Sequence, residues 1–192
     1  MSVIWYKVWY DLWHNKVRTL LAVLSIAAGV FAVGVVFGMS DQLLSGMDRA
    51  HQAVTPSHIQ LYLNSPVARD YIVGLKRTPG VLDIEGFNQL TISYQLPSSR
   101  EWKQAAIVSR DDWDKQRMDM VQLKGGEWPR RGELGIERLS SEFFQIGMGD
   151  TVTIKDRNDR ERTYSINGLI RHPFVLPPPF GGEAVFFMTK DD

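Results

Sequence analysis

The sequence predicts an α+β protein: an N-terminal transmembrane helix and stalk, followed by a two-lobed extracytoplasmic domain. The domain would have a mixed α/β lobe and a smaller β-rich lobe. Three observations support this fold class. A long apolar run without charge lies near the N-terminus, residues 57–131 alternate between strand-like and helix-like patterns, and residues 132–172 are dominated by strand-like patterns with glycine turns.

The apolar run is long enough to cross a membrane. Residues 20–39 number about 20, and at about 1.5 Å per residue a helix of that length spans about 30 Å. Ser25 is the one polar residue inside the run, whereas a core helix would carry a polar face. A signal peptide would need a shorter leader and a small-residue cleavage site. We therefore predict a retained transmembrane helix over residues 19–40.

The leader before this helix, residues 1–18, has the pattern of an amphipathic helix. Its apolar residues recur at spacings of three and four, and Trp and Tyr are frequent among its side chains, which suits the headgroup level of a bilayer. We predict an interfacial helix that lies on lipid, with packing on a partner domain as the alternative. The apolar positions are Val3, Ile4, Trp5, Val8, Trp9, Leu12 and Trp13.

The charges on the two flanks of the span predict its orientation. Lys7, Lys16 and Arg18 precede it, whereas Arg49 is the one Lys or Arg in positions 40–55. Basic residues are enriched on the cytoplasmic side of membrane helices. We therefore expect a cytoplasmic N-terminus in the inner membrane of a bacterial cell, with the main domain extracytoplasmic.

A stalk helix is predicted over residues 41–56. Leu43, Met47, Ala50 and Val54 fall on one helical face, and Thr55-Pro56 ends the pattern. An apolar face of this kind needs a partner. In the span itself, Gly34 and Gly38 form a small-xxx-small pattern that suits close packing against another membrane helix.

Residues 57–131 are predicted to form the first part of the α/β lobe. The patterns indicate a strand over 58–63, a helix with Ser65 as N-cap and Pro66 at its first position, and a second strand over 81–87. A hairpin of strands 90–96 and 101–109 follows, and then a short helix and a loop over 111–129. The carboxylates Asp111, Asp112, Asp114 and Asp119 are expected to form a helix cap and a solvated face.

Residues 132–172 are predicted to form the β-rich lobe. The pattern indicates a strand over 132–137, a helix over 138–147 and a hairpin whose turn lies at 156–159. Residues 173–192 would be a proline-rich loop and a final strand that returns to the α/β lobe.

Composition and motifs exclude several function classes. The chain has 22 basic and 22 acidic residues, so it lacks the basic surface of a nucleic-acid-binding protein. It has no cysteine, and no phosphate-binding loop, nucleophile elbow or zinc-protease motif is present. The histidines are scattered, at positions 14, 51, 58 and 172. We predict no catalytic, cofactor-binding or metal-binding residues, and no enzymatic activity.

The segment "DLWHNKVRTLLAVLSIAAGVFAVG" resembles the entry into the first membrane helix of FtsX/MacB-type permeases of ABC transporters. It shows their run of asparagine, a basic residue, Arg-Thr and leucines after an amphipathic leader. Four later segments are similar to successive parts of the MacB-like periplasmic core domain that follows that helix. They are "PSHIQLYL", "TPGVLDIEG", "LKGGEWP" and "MGDTVTI".

This resemblance implies an ABC transporter permease with four membrane helices and a core domain between the first and second. It implies a dimer with a second permease copy or homologue, an ATP-binding cassette ATPase as a separate or fused partner, the lipid bilayer and a periplasmic adaptor. The ATPase-driven motion would pass through the stalk to export or extract a substrate, or to regulate cell-wall hydrolases. Because the sequence ends at Asp192, before a second span, we expect a fragment or a truncated relative.

A second function class stays open. The chain could be a single-pass, membrane-anchored binding or sensor module whose extracytoplasmic domain captures a ligand. A reading frame downstream with three more apolar spans, beside an ATPase gene, would favour the permease; a stop followed by unrelated genes would favour the sensor. The substrate is not encoded in any motif.

Overall fold

The structure is a computed structural model that describes residues 3–63, 65, 67–156 and 159–190. Pro66, the predicted first position of the helix that follows residue 63, lies outside the described residues. The predicted N-cap at Ser65 is wrong, because the helix begins at Arg69 and its N-cap residue is Ala68. The chain forms two compact units, Met1–Ala50 and His51–Asp192. Each is described by itself.

The described residues of the first unit form two helices. Helix α1 spans Val3–His14, and helix α2 begins at Lys16 and continues without interruption to Gln52 in the second unit. Asn15 separates them. By length and composition α2 can cross a membrane, and none of its most apolar window is buried in the structure. The helix ends before the predicted end of the stalk.

The described residues of the second unit form seven strands and two short helices. The strands are β1 (Asn88–Gln95), β2 (Lys103–Arg110), β3 (Gln122–Gly126), β4 (Glu133–Glu137), β5 (Thr151–Lys155), β6 (Glu161–Arg171) and β7 (Ala184–Thr189). Helix α3 spans Arg69–Leu75 and helix α4 spans Arg138–Phe144. A 3-10 turn covers Pro178–Phe180.

All seven strands belong to one sheet, in the order β3-β6-β4-β7-β2-β1-β5. Strand β5 also pairs with β6, so six of the strands close into a ring. The β1–β2 and β5–β6 pairs are the predicted hairpins and are antiparallel. The β2–β7 and β4–β6 pairs are parallel.

Strand β6 closes the ring because it has three neighbours. Its first half pairs with β5, and its second half pairs with β4 on one side and β3 on the other. The register against β4 shifts by one residue: Leu134 faces Ile166, and Gly135 faces Gly168. The extra residue, Asn167, is a bulge, and a one-residue shift moves the following side chains to the opposite face of a strand.

Two apolar clusters lie on the two faces of this sheet. The first fills the ring and takes side chains from all six ring strands, including Tyr94, Leu134, Ile166 and Phe186. The second cluster lies on the outer face of β2, β6 and β7. It contains Val108, Trp113, Val121, Ile170, Val185 and Phe187. Strands β2 and β7 contribute to both clusters, so they are buried on both faces.

The boundary predicted at residue 132 between an α/β lobe and a β-rich lobe is wrong. The strands placed in the second lobe pair directly with those of the first, since β5 bonds to β1 and β4 bonds to β7. Final strand β7 runs beside β2, as predicted for a strand that returns to the first part of the domain. The sheet therefore holds both parts in one hydrogen-bonded unit.

Three local predictions are also wrong. Residues 58–63 and 81–87 are not strands, and residues 111–121 form turns instead of a helix. Ile59, Leu61 and Leu63 alternate as in a strand but are exposed. A strand needs a neighbour to accept and donate its backbone hydrogen bonds, and none of the described residues supplies one there.

We expect the closed sheet to depend on Phe186, which is fully buried in the first cluster and packs edge-on against Tyr94 with ring centroids 5.3 Å apart. Phe186→Ala in the full chain should lower the free energy of unfolding by about 3–5 kcal/mol, because the surrounding strands cannot collapse into the cavity. Phe180→Ala is the matched control, since that ring is 76% exposed. Equal denaturation midpoints for the two variants in detergent solution would contradict the assignment of the core.

Candidate functional site at the end of the long helix

After α2 ends at Gln52, residues 53–57 form a turn and a short irregular connection within the second unit. Val54 is 2% exposed, and its carbonyl oxygen accepts a hydrogen bond from the Met120 amide at 2.9 Å. The Thr55 carbonyl oxygen accepts from the Asp119 amide at 3.1 Å. The prediction that Val54 continues the apolar face of a stalk helix is therefore wrong, because these hydrogen bonds hold Val54 in the domain.

The two residues joined by this last hydrogen bond both have strained backbones. Thr55 has φ 49° and Asp119 has φ 46°, in the left-handed region that non-glycine residues rarely adopt. Such conformations cost free energy and persist where the surrounding contacts over-determine them. Here those contacts come from the side chain of Asp119.

The Asp119 carboxylate binds the segment that follows α2. It accepts hydrogen bonds from the Ser57 amide (2.9 Å), the Ser57 hydroxyl (2.5 Å) and the Gln60 amide group (3.0 Å). Burial alone would raise the pKa of Asp119, but these hydrogen bonds and the nearby Arg110 charge together hold it below its usual value. Asp119 is 8% exposed, so the predicted solvated face is wrong for this carboxylate.

Arg110, at the end of β2, supplies a positive charge on the buried side of this site. Its guanidinium donates to Glu85 Oε1 at 2.6 Å, to the Met118 carbonyl oxygen at 3.1 Å and to the Asp119 carbonyl oxygen at 3.0 Å. It also lies 5.6 Å from the centre of the Phe87 ring. Arg110 is 5% exposed, and a charge at that depth must be paired.

Glu85 completes the arrangement. Its second oxygen accepts the backbone amides of Arg117 and Met118, both at 2.9 Å. Glu85 thus holds the 117–119 turn in place from the other side. We call Val54, Ser57, Glu85, Arg110 and Asp119 the junction cluster.

An aromatic group lies beside the junction cluster. The His172 ring stacks on Phe187 with centroids 6.0 Å apart, and Phe174 contacts both His172 and His51 edge-on. Burial, then the positive charge of Arg110, lower the pKa of His172 to about 4, against an opposing contribution from Asp119. The ring is therefore neutral at physiological pH. Of the four scattered histidines, two thus meet at one phenylalanine.

The connection between β2 and β3, residues 111–121, contains the 117–119 turn. A cleft of about 460 Å³ lies at the other end of this connection, next to the end of β2. Trp113 and Trp128 stack in it with centroids 5.8 Å apart and 11° between their planes. Gly126 lines the cleft with φ 71°, and a Cβ there would lie 2.0 Å from the Asn167 carbonyl oxygen, so the position requires glycine. Its polar lining includes Asp111, Asp112, Asp114, Glu127 and Arg130.

No set of three or more metal-ligating side chains lies together in the described part of the chain. Asp112 accepts from the Asp114 amide at 2.9 Å and pairs with Lys115, a local turn contact. No local sequence pattern indicates the junction cluster. Ser57 and Asp119 are 62 residues apart, and no short motif links them.

No family model and no curated protein matches the sequence. Among solved structures, the chain is similar to the extracellular domain of the noncanonic ABC-type transporter YknZ from Gram-positive bacteria. The identity is 12% and the TM-score 0.43, over 72% of this chain and 71% of that one. These values by themselves place the two chains in no common family.

We expect Asp119→Asn to destabilise the second unit by about 1.5–3 kcal/mol at pH 7, because the hydrogen bonds from Ser57 and Gln60 lose their charged acceptor. The pKa of Asp119 is lowered in the folded state, so this stability is present above the unfolded-state pKa of about 3.9 and is lost as the pH falls through the folded-state pKa. Chemical denaturation of the full chain at several pH values measures it.

The matched control is Asp114→Asn, five residues away on an exposed turn. The difference between wild type and Asp119→Asn should shrink below about pH 4, whereas Asp114→Asn should match wild type throughout. A difference that stays constant with pH would contradict a role for the Asp119 charge.

Proposed function

We propose that this chain is the N-terminal portion of an ABC transporter permease subunit. Its extracytoplasmic domain and stalk would transmit ATP-driven motion for export or extraction of a substrate across or from the cell membrane. The observation that carries the proposal is the junction cluster. The segment that follows a membrane-length helix is fixed to the domain by buried charged hydrogen bonds instead of a flexible linker.

Rigid attachment matters because a moving helix can displace a domain only if the connection does not yield. Glycine-rich and serine-rich linkers absorb motion as random coils. Here residues 53–57 are held by two backbone hydrogen bonds, and three more reach the Asp119 carboxylate from Ser57 and Gln60. An axial or rotational displacement of α2 would therefore be passed to the β2–β3 connection.

The exposed apolar face on the stalk part of α2 favours another helix as its partner. Leu43 and Met47 are 64% and 62% exposed, and burying a side chain of this size contributes about 1.5–3 kcal/mol. We propose that this face packs on a second membrane helix of the permease, and that the permease works as a dimer with a second copy or homologue. An ATP-binding cassette subunit, the bilayer and a periplasmic adaptor complete the proposed partners.

We propose a location in the bacterial inner membrane, with the N-terminus in the cytoplasm and the second unit outside. We also propose that this chain is not itself an enzyme, since its sequence carries no phosphate-binding loop and energy would come from the ATPase subunit.

The Trp113–Trp128 cleft favours a second candidate function. A cleft of about 460 Å³ with a tryptophan wall is of the size that holds a small ligand. A single-pass binding or sensor module would use such a cleft without any ATPase.

Cysteine labelling tests the orientation, because the natural chain has no cysteine. Ser98 lies in the exposed turn between β1 and β2. Ser98→Cys should react with a membrane-impermeant thiol reagent in intact cells, because the second unit is outside. Ser2→Cys is the control and should react only after the cells are opened. The reverse labelling pattern would contradict the proposed topology.

Leu44→Pro tests the transmission of motion through α2. Leu44 is 67% exposed and lies off the Leu43–Met47 face, so the main effect of proline is to break the helix, at a cost of about 3 kcal/mol or more. In the host, this variant should lose the phenotype that depends on the gene, while Leu44→Ala should keep it. Both should co-purify with an ATP-binding cassette subunit and retain the circular dichroism of a folded domain.

Full function of a well-expressed Leu44→Pro variant would rule out transmission through the helix. Purification of the wild-type chain without any ATPase, together with an unchanged phenotype in a host whose candidate ATPase genes are deleted, would favour the sensor.

A further inference from the structure

We propose that the bend between α1 and α2 binds the headgroup of an anionic phospholipid. The bend is at Asn15, between the last residue of one helix and the first residue of the other. The inference rests on the proposed membrane span and is independent of transport.

The bend has a defined geometry. The Asn15 amide donates to the Asp11 carbonyl oxygen at 3.1 Å, and the Asn15 carbonyl oxygen accepts from the Thr19 amide at 3.0 Å. The Thr19 hydroxyl donates to the Leu12 carbonyl oxygen at 3.1 Å, which ties the start of α2 to the last turn of α1. These bonds connect α1 and α2 across the break.

A cleft of about 530 Å³ lies at the bend, and its lining combines cationic and apolar side chains. Lys16 and Arg18 supply the charge, and Val17 and Leu21 supply the apolar surface. His14 and Asn15 complete the lining. A phospholipid is amphipathic in the same way: its phosphate suits the two basic groups, and its acyl chains suit the two apolar side chains.

The charge of the bend is positive and unbalanced. Asp11 is the one acidic residue among the first 40, against Lys7, Lys16 and Arg18. None of the described residues forms an ion pair with Lys16 or Arg18. The Lys16 ammonium lies 5.7 Å from the centre of the Trp13 ring, a contact that leaves its hydrogen-bond donors available for an anion.

The depth of these groups matches the headgroup layer. The apolar run begins at Leu20, so Arg18 and Lys16 lie about 3 Å and about 6 Å before the hydrocarbon core along a helix. The polar layer on each side of a bilayer is about 5–7 Å thick. Trp9 and Trp13 are 62% and 68% exposed on α1, as expected for anchors at the same level.

The combination of basic and apolar side chains in this cleft favours a phospholipid over a free inorganic anion as the ligand. Inorganic phosphate would use the two charges and leave Val17 and Leu21 in water. A lipid headgroup brings the phosphate and the chains that cover those side chains together. A negative lipid such as phosphatidylglycerol also adds the net charge that zwitterionic phosphatidylcholine lacks, although both carry a phosphate.

Native mass spectrometry of the full chain, released from detergent micelles with equal amounts of phosphatidylglycerol and phosphatidylcholine, tests the proposal. The wild type should retain phosphatidylglycerol preferentially. Lys16→Gln and Arg18→Gln should each reduce its retention about fivefold, the factor expected for one basic residue at an anionic surface. Lys124→Gln and Arg131→Gln remove the same charge at exposed positions of the second unit and should leave retention unchanged.

Equal retention of the two lipids, or equal losses in the bend and control variants, would overturn the proposal. Displacement of phosphatidylglycerol by millimolar inorganic phosphate would show a free-anion site and overturn the lipid assignment. Carbonate extraction of the chain from membranes would overturn the span itself, and the lipid site with it. Integration without lipid preference would overturn only this inference.

Discussion

Strand β6 constrains the whole second unit, because it is hydrogen-bonded to three other strands. Its eleven residues pair first with β5 and then with β3 and β4 together. Without that shared strand the ring would be open, and the apolar side chains that fill it would face water. The bulge at Asn167 is part of the same constraint. Before it Tyr164 and Ile166 point into the ring, and after it Ile170 points to the outer cluster.

The outer cluster in turn provides the surface on which the junction cluster is built. Trp113 and Val121, at the two ends of the β2–β3 connection, pack on the outer face of the sheet. Asp119 lies in the turn between them, and its carboxylate accepts a hydrogen bond from the Ser57 hydroxyl. Arg110, at the end of β2, donates a hydrogen bond to the Asp119 carbonyl oxygen. Burial of a paired charge is weak evidence for stability, but it is specific in geometry, since each partner has few alternative positions.

The two units follow different physical rules. The apolar part of α2 exposes its side chains in all directions, as expected for a helix whose natural solvent is lipid. The second unit, by contrast, has two buried apolar clusters, and its buried charges are held by hydrogen bonds: Arg110 and Asp119 in the junction cluster and Glu137 at the start of α4. The break at Asn15 separates α1 from α2, whose apolar run is long enough to cross a membrane.

The sequence by itself determined the local features of this protein. The length and uniform hydrophobicity of residues 20–39, the amphipathic leader, the hairpins β1–β2 and β5–β6 and the short helix α4 all follow from patterns within a few residues. These elements depend on neighbours in the chain. Tertiary structure decided what depends on distant pairing. Residues 58–63 have a strand pattern but lack a strand beside them, two predicted lobes share one sheet through β6, and Asp119 is buried because Ser57, 62 residues away, binds it. Alternation specifies that a segment can be a strand, whereas its hydrogen-bonding partner is specified only by the fold.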